Sequence, residues 1–424
     1  MKERRVVITG LGVVAPNGIG LQDFRSALKE GRSGIRFDQQ LADLQFSCQV
    51  SGTPPIDKEN LHEYFTDLEL RNFNSTGIMY GVIAGLDAWK DAGLEISADE
   101  NPDWDSGTIF GAGTSGIEKF RESIYKIDAL QTRRLGSTAV SQTMNSGISA
   151  YLGGKLGLGN QVTTNSSACT TGTESILMAF DRIKSGKAKR ILAGSTSDSG
   201  PYIWAGFDAI KVCNFKSNDQ PEKASRPMSA SAAGFVPGSG AGALVIEDLE
   251  SALARNAKIY CEILGGNINS GGQRGGGSMT APNSTAVQKC VKDAIKDSEI
   301  EAKDIDYISG HLTATSKDAT EIQNLSRALN RSGKNFPSIN SLKALTGHCL
   351  SAAASIECVA TVLQLSENFI APNINCEDLN EEISAIIDAD CIPLNLLEKE
   401  INIAAKVSFG FGDVNGCVIF KKYS

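Results

Sequence analysis

Thr163–Thr173 reads TTNSSACTTGT and, after Glu174, continues as SILMAF. Asn165, Ser166 and Ser167 are helix-capping residue types, and the apolar segment behind them has little polar face. This predicts a helix over Cys169–Ile183 that is buried on all sides. A second stretch behaves alike: SLKALTGHCLSAAA (Ser341–Ala354) leads into SIECVATVL, predicting another buried helix over Leu350–Leu363. Each helix follows a strand-like run, a Gly-containing loop and a polar loop, so the order of elements recurs about residue 255.

Outward from these helices, short apolar runs alternate with helical patterns. Val6–Val14, Thr108–Ala112, Arg190–Ala193, Ala243–Glu247, Ile259–Leu264, Ile305–Ser309, Ser338–Ser341, Ile403–Val407 and Gly416–Lys421 read as strands, many apolar throughout. Ile78, Met79, Val82, Ile83, Leu86 and Trp89 recur at helical spacing, as do Val287, Cys290, Val291, Ala294 and Ile295. The alternation indicates an α/β architecture. The chain has 424 residues, enough for two core units. The recurrence divides it into 1–254 and 255–424, and no low-complexity linker separates the halves.

The net charge of −8 disfavours a general nucleic-acid binder. Ten dispersed cysteines form no CxxC pair and no zinc-finger spacing, which suits reduced thiols in a cytoplasm and no metal site. The apolar run VVITGLGVV is short and broken by Gly, so it reads as a buried strand rather than a signal peptide. No stretch is long and apolar enough to span a bilayer.

Cys169 stands at the predicted start of the first buried helix, where unpaired N–H groups and the helix dipole favour a thiolate and receive an oxyanion. The other nine cysteines read as small buried hydrophobes. Of three histidines, His62 lies in the polar LHEYF and takes no role. His311, in ISGHLTAT, and His348 fall in loops after apolar strands, where doubly wound sheets build their sites. Two neutral imidazoles donating N–H bonds to one oxygen stabilise negative charge, such as an enolate's, that develops there only in the transition state. Lys343, five residues before His348, orients the site electrostatically or pairs with Glu357 in the second buried helix.

SSACTTG, SGHLTAT, LKALTGHCLSAAA and SFGFGDVNG (Ser408–Gly416), with VVITGLGVVAPNG, GRSGI (Gly31–Ile35) and PEKASRP (Pro221–Pro227), resemble the elongating β-ketoacyl-[acyl carrier protein] synthases of the thiolase superfamily. The resemblance spans nearly the whole chain. It implies a duplicated βαβαβαββ core in five αβαβα layers, a homodimer, and an acyl carrier protein that brings acyl and malonyl groups. It implies a ping-pong condensation with Cys169, His311, His348 and Lys343 catalytic, in fatty-acid or related lipid or polyene biosynthesis. No cofactor is implied beyond the carrier's phosphopantetheine. Thr313 and Thr315 match residues that hold this arm. Phe411 matches the gating Phe whose N–H is the second oxyanion donor beside Cys169. Ile117 matches a position lining the acyl pocket, or packs in the core. Arg71, Arg133, Arg134 and Lys216 lie where carrier-docking residues fall, or are ordinary solvated charges.

Five departures bear on substrate. Leu312 and Ala314 interrupt the expected His-Gly-Thr-Gly/Ser-Thr, and the following segment is a residue shorter. Asp413 replaces a loop Gly and places a carboxylate near the entrance. MSASAAGFV (Met228–Val236) replaces an acid/Arg/Asp pattern, and Ser351 and Ala354 replace glycines. GGQRGGG (Gly271–Gly277) lacks a P-loop's Lys-Ser/Thr and reads as a flexible surface loop. Two other functions compete: a CoA-dependent thiolase using a late cysteine such as Cys417, and a non-catalytic subunit that sets chain length in a condensing heterodimer.

Overall fold

The computed structural model describes residues 4–56, 58–96 and 100–423. The strands that organise it are β1 (Val6–Ala15), β2 (Ser106–Ala112), β3 (Val162–Thr163), β4 (Arg190–Ser197) and β5 (Gly240–Asp248), then β6 (Cys261–Ser270), β7 (Tyr307–Ser309), β8 (Ser338–Asn340), β9 (Ile403–Gly410) and β10 (Val414–Lys422). They join in the order β3-β2-β4-β5-β1-β6-β10-β9-β7-β8, with Gly18–Ile19 hung on β1. Reading outward from the centre, each half repeats the same sequence of first, fifth, fourth, second and third strand. Directions repeat too: β2 lies parallel to β3 and β4 as β7 does to β8 and β9, and the remaining pairs are antiparallel. The halves meet through β1 and β6 over only Val6, Val7 and Ile8 against Ile263, Glu262 and Cys261.

The helices α1 (Thr76–Asp91), α2 (Gly147–Leu156), α3 (Thr171–Lys184), α4 (Ser284–Asp297), α5 (Asp318–Leu329) and α6 (Ala353–Glu367) complete the layers. α1 and α2 cover the outer face of the first half, and α4 and α5 that of the second. α3 and α6 run between the halves and touch strands of both. Helix, sheet, helix, sheet, helix is the resulting stack. Burial explains it: β1, β2 and β5 are buried at every residue and need cover on both faces. α6 is buried from Ala353 through Leu365, as its apolar sequence requires. Where α3 passes α6, a Cβ on Gly172 would lie 2.4 Å from the Ser355 nitrogen, so only glycine permits the approach.

One strand escapes the sequence reading and one local expectation fails. β3 is an edge strand of two residues, too short to show a period in sequence. The helix predicted from Cys169 starts with a tight 3-10 turn, Ala168–Thr170, and Asn165, Ser166 and Ser167 do not cap it. Asn165 instead donates to the Thr171 carbonyl at 3.0 Å and to Glu174 Oε2 at 2.8 Å, pinning the loop sideways to α3.

Candidate active site

Cys169 sits in the turn that opens α3, after Ala168 in left-handed backbone (φ 50°). The backbone N–H groups of Phe411 and Cys169 itself face its sulfur. The loop carrying Phe411 lies this close because Gly410, at the end of β9, has no side chain: a Cβ there would meet the Ser167 oxygen at 2.8 Å. Burial pushes the thiol up to about 11, outweighing the pull of Lys343 and the two N–H groups, so the resting group is a thiol rather than the thiolate expected at a helix start.

Both loop histidines meet this cysteine in one cavity of about 440 Å³, also lined by Phe235, Phe409 and Phe411. The His311 and His348 ring centroids lie 5.4 Å apart at 84°. His348 Nδ1 accepts the Leu350 N–H at 3.2 Å, which assigns the ring proton to Nε2 and makes that nitrogen a donor. His311 Nδ1 is buried without a hydrogen-bond partner, so one of its ring nitrogens is uncommitted. Burial holds both rings well below the ordinary imidazole range, with Lys343 and Lys406 adding to the effect, so both are neutral near pH 7. His62 is exposed and pairs with Asp67 at 3.2 Å, away from the cavity.

The His311 loop is held by two carboxylates that sequence reading missed. Glu321 accepts the N–H groups of His311 (2.7 Å) and Leu312 (2.9 Å). Asp318 accepts those of Thr313, Ala314 and Thr315, and that of Met228 at 2.9 Å. Five successive backbone N–H groups thus end on two side chains from the first turn of α5. Their signal was an acid pair three residues apart just after a polar loop. The grip compensates for left-handed backbone at Leu312 (φ 22°) and Ala314 (φ 60°), each costing on the order of 1 kcal/mol or more. Leu312 turns its side chain into the outer core beside Ile308 and Ile322. Burial raises Asp318 to about 6 and Glu321 to about 7. Thr313 and Thr315, whose hydroxyls are 3.1 Å apart, also line the cavity.

Lys343 is buried and meets Glu357 Oε1 at 2.5 Å; a second buried lysine, Lys406, lies 2.9 Å from Glu357 Oε2. Asp413 is not a carboxylate at the entrance. It is fully buried and accepts the N–H groups of Gln273 (3.0 Å) and Asn283 (2.8 Å). The glycine-rich segment it holds is therefore tethered at both ends, and Gly275 and Gly276 form part of the cavity wall. Ile117 does not line the cavity. It opens the helix Ile117–Asp128, with its N–H 3.3 Å from Asp198. Cys417 is sealed inside β10, and burial pushes its thiol up to about 12. Arg71, Arg133, Arg134 and Lys216 are all exposed, and Lys216 follows Val212 of the cavity wall by four residues. Among the described residues, no group of three or more His, Cys, Asp or Glu could hold a metal ion. No helix among them is long and apolar enough to cross a membrane.

The chain matches two family profiles, "Beta-ketoacyl synthase, N-terminal domain" over residues 3–252 and "Beta-ketoacyl synthase, C-terminal domain" over residues 260–377. It is 34% identical to the 3-oxoacyl-[acyl-carrier-protein] synthase 2 of Vibrio harveyi, over 100% of this chain and 99% of that one. A beta-ketoacyl synthase from Burkholderia phymatum STM815 superposes with a TM-score of 0.88 at 28% identity, covering 99% of this chain and 100% of that one. One chain of the complex of a type II PKS acyl-carrier protein with its ketosynthase bound to the hexaketide superposes with a TM-score of 0.85 at 25% identity, covering 100% of both chains. The five-layered stack is the thiolase-like fold of these ketosynthases.

Proposed function

The chain belongs to the beta-ketoacyl synthase family, and from that premise we propose that it lengthens an acyl group held on Cys169 by decarboxylative condensation with malonyl-[acyl carrier protein]. The observation that carries this reading is the convergence of one sulfur and two neutral imidazoles in a single cavity. In the first half-reaction the Cys169 sulfur attacks the acyl thioester of the carrier, and its proton leaves with the carrier's thiol. The tetrahedral oxyanion is received by the N–H groups of Cys169 and Phe411. In the second, the malonyl thioester carbonyl lies between His311 and His348. Loss of CO2 puts the electron pair on that enolate, whose oxygen accepts the two imidazole N–H bonds. Each donor lowers the barrier by about 3 kcal/mol. The enolate carbon then attacks the acyl-Cys169 carbonyl. The second oxyanion occupies the same two N–H groups and collapses with expulsion of the Cys169 thiolate, which takes a proton from water to restore the resting thiol, releasing a 3-oxoacyl thioester two carbons longer.

Neutral rings suit this chemistry because they donate without leaving a charged base behind. Thr313 and Thr315 line the cavity and, in our reading, hold the carrier's pantetheine arm; the scheme calls on no metal or dissociable cofactor. The carrier is acidic in our reading and meets Arg71, Arg133, Arg134 and Lys216. A second copy of the chain covers the exposed apolar row Phe120, Ile124, Tyr125 and Ile127, giving a homodimer. Buried free cysteines suit a reducing cytoplasm. A non-catalytic, chain-length-setting role is not favoured, since Cys169 and both rings are in place, and sealed Cys417 offers a thiolase no second thiol.

The test is elongation of a ladder of acyl primers with malonyl-[acyl carrier protein] and, separately, malonyl-CoA. We expect 3-oxoacyl products from the carrier-bound donor. Product from neither donor with any primer would refute the reading.

A further inference from the structure

A carboxylate in a protein core needs one cation; Glu357 has two. Its oxygens meet Lys343 Nζ at 2.5 Å and Lys406 Nζ at 2.9 Å, and all three side chains are at most 2% exposed. Lys406 comes from β9, in the middle of the apolar run IAAKVSFG. It also donates to the Val407 carbonyl and to Ser408 Oγ at 3.1 Å, and Ser408 in turn lies 2.9 Å from Thr173 on α3. The cluster therefore links the strand that carries the Phe411 loop to both central helices.

Lys343 alone would neutralise Glu357. A second ammonium leaves one unmatched positive charge away from water, an arrangement that costs stability unless something uses it. Both imidazoles stand against this charge, and Lys343 and Lys406 each act on both rings in the sense that opposes protonation. The other groups that face them are few: across the cavity stands Cys169, held as a neutral thiol by burial. His311 has the His348 ring and, behind its own backbone, Glu321 and Asp318 of α5. His348 has the Leu350 N–H on Nδ1. Cys358 and Cys417 face Lys406, and both are held as neutral thiols by burial.

We propose that Lys406 is a positioning residue for condensation: through Glu357, which it shares with Lys343, it keeps an excess positive charge behind His311 and His348, so that both rings remain neutral donors when the enolate forms. The assignment rests on the condensing role proposed above. It adds a second cation to the site and gives the cluster a task beyond holding the fold.

The chain has only three histidines, so imidazole NMR of histidine-labelled protein resolves the question directly, with exposed His62 as internal control. In the native protein, the His311 and His348 signals stay in the neutral form well below the ordinary imidazole midpoint of about 6.5. In Lys406→Met both midpoints rise by about one pH unit, a tenfold gain in proton affinity. The acid limb of malonyl-thioester decarboxylation moves to higher pH with them. Lys406→Arg, which keeps the charge, returns both toward native behaviour. Where Met is not tolerated, Lys406→Gln keeps a donor for Glu357 without charge and carries the same expectation. Native rings that titrate near the ordinary value of about 6.5 would overturn the proposal. So would a folded Lys406→Met or Lys406→Gln protein with unmoved midpoints and only a lower melting temperature. The NMR readout needs no substrate. A chain that never elongates yet shows the shift refutes the condensing role and keeps the charge assignment. A chain that elongates with unmoved midpoints does the reverse.

Discussion

Two helices pass side by side through the centre of this molecule, and both begin in the same way. Ala168-Cys169-Thr170 precedes α3 and Leu350-Ser351-Ala352 precedes α6; each is a 3-10 turn whose first residue has φ 50°, and neither helix has a side-chain cap. The turns are the same device placed once in each half. What differs is the company of the middle residue. Cys169 opens onto the cavity with two N–H groups at its sulfur. Ser351 donates to the Thr196 carbonyl of β4 at 2.7 Å, and its own carbonyl accepts from Ser195. Six residues on, α3 has Ser175 bonded to Asn165 and α6 has Glu357 between two lysines. The duplicated backbone supplies two equivalent positions, and side chains put the proposed nucleophile, Cys169, before one helix and Glu357 with its two lysines on the other.

The sharpest way to break this comparison is to remove each middle residue. Cys169→Ala should lower elongation by more than about 10³-fold while leaving malonyl decarboxylation measurable, since only the histidines serve that step. Ser351→Ala should leave turnover at the native level and lower stability by about 1–3 kcal/mol in denaturant unfolding, because the buried Thr196 carbonyl loses its donor. Equal losses of activity in the two variants would show that the turns are not functionally distinct.

Next in size come the rings. His348→Ala and His311→Ala should each slow decarboxylation by about 10²–10³-fold, measured as CO2 release, with acyl transfer to Cys169 less affected. If acyl transfer fell as far as decarboxylation, the division of labour between the halves would be wrong.

The smallest effect concerns the carboxylates that hold the His311 loop. Glu321 has its folded-state value raised to about 7, so the folded chain binds this proton more tightly than the unfolded one. Its contribution to stability is full below the unfolded value of about 4.3 and is lost as pH rises through about 7. Relative to Glu321→Gln, the native protein should therefore gain up to about 3 kcal/mol as pH falls from about 7.5 to about 4.5. A stability difference that is flat over that window would mean Glu321 is not titrating there.

Much of this was legible before any coordinates. Two apolar helices behind polar loops marked the central layer, and histidines are so scarce in the chain that two of them in loops after apolar strands stood out. The loop carboxylates were harder to see, because Asp318 and Glu321 look like ordinary acids in a first helical turn until their five backbone partners are known. Asp413 misled because its neighbours in sequence belong to the Phe411 loop, whereas its hydrogen-bond partners lie 130 and 140 residues away. Ile117 was read as lining an acyl pocket or packing in the core, and it is not in the wall of the cavity that holds Cys169. Lys406 did leave a trace: a lysine inside a strand covered on both faces must find a carboxylate.

The most direct measurement is mass spectrometry of the enzyme after incubation with acyl-[acyl carrier protein], followed by addition of malonyl-[acyl carrier protein]. The account predicts one acyl group, on the peptide containing Cys169 and on none of the other nine cysteines, discharged on addition of malonyl donor as a 3-oxoacyl product two carbons longer. An acyl group on another residue, or one on Cys169 that malonyl donor does not discharge, would contradict it.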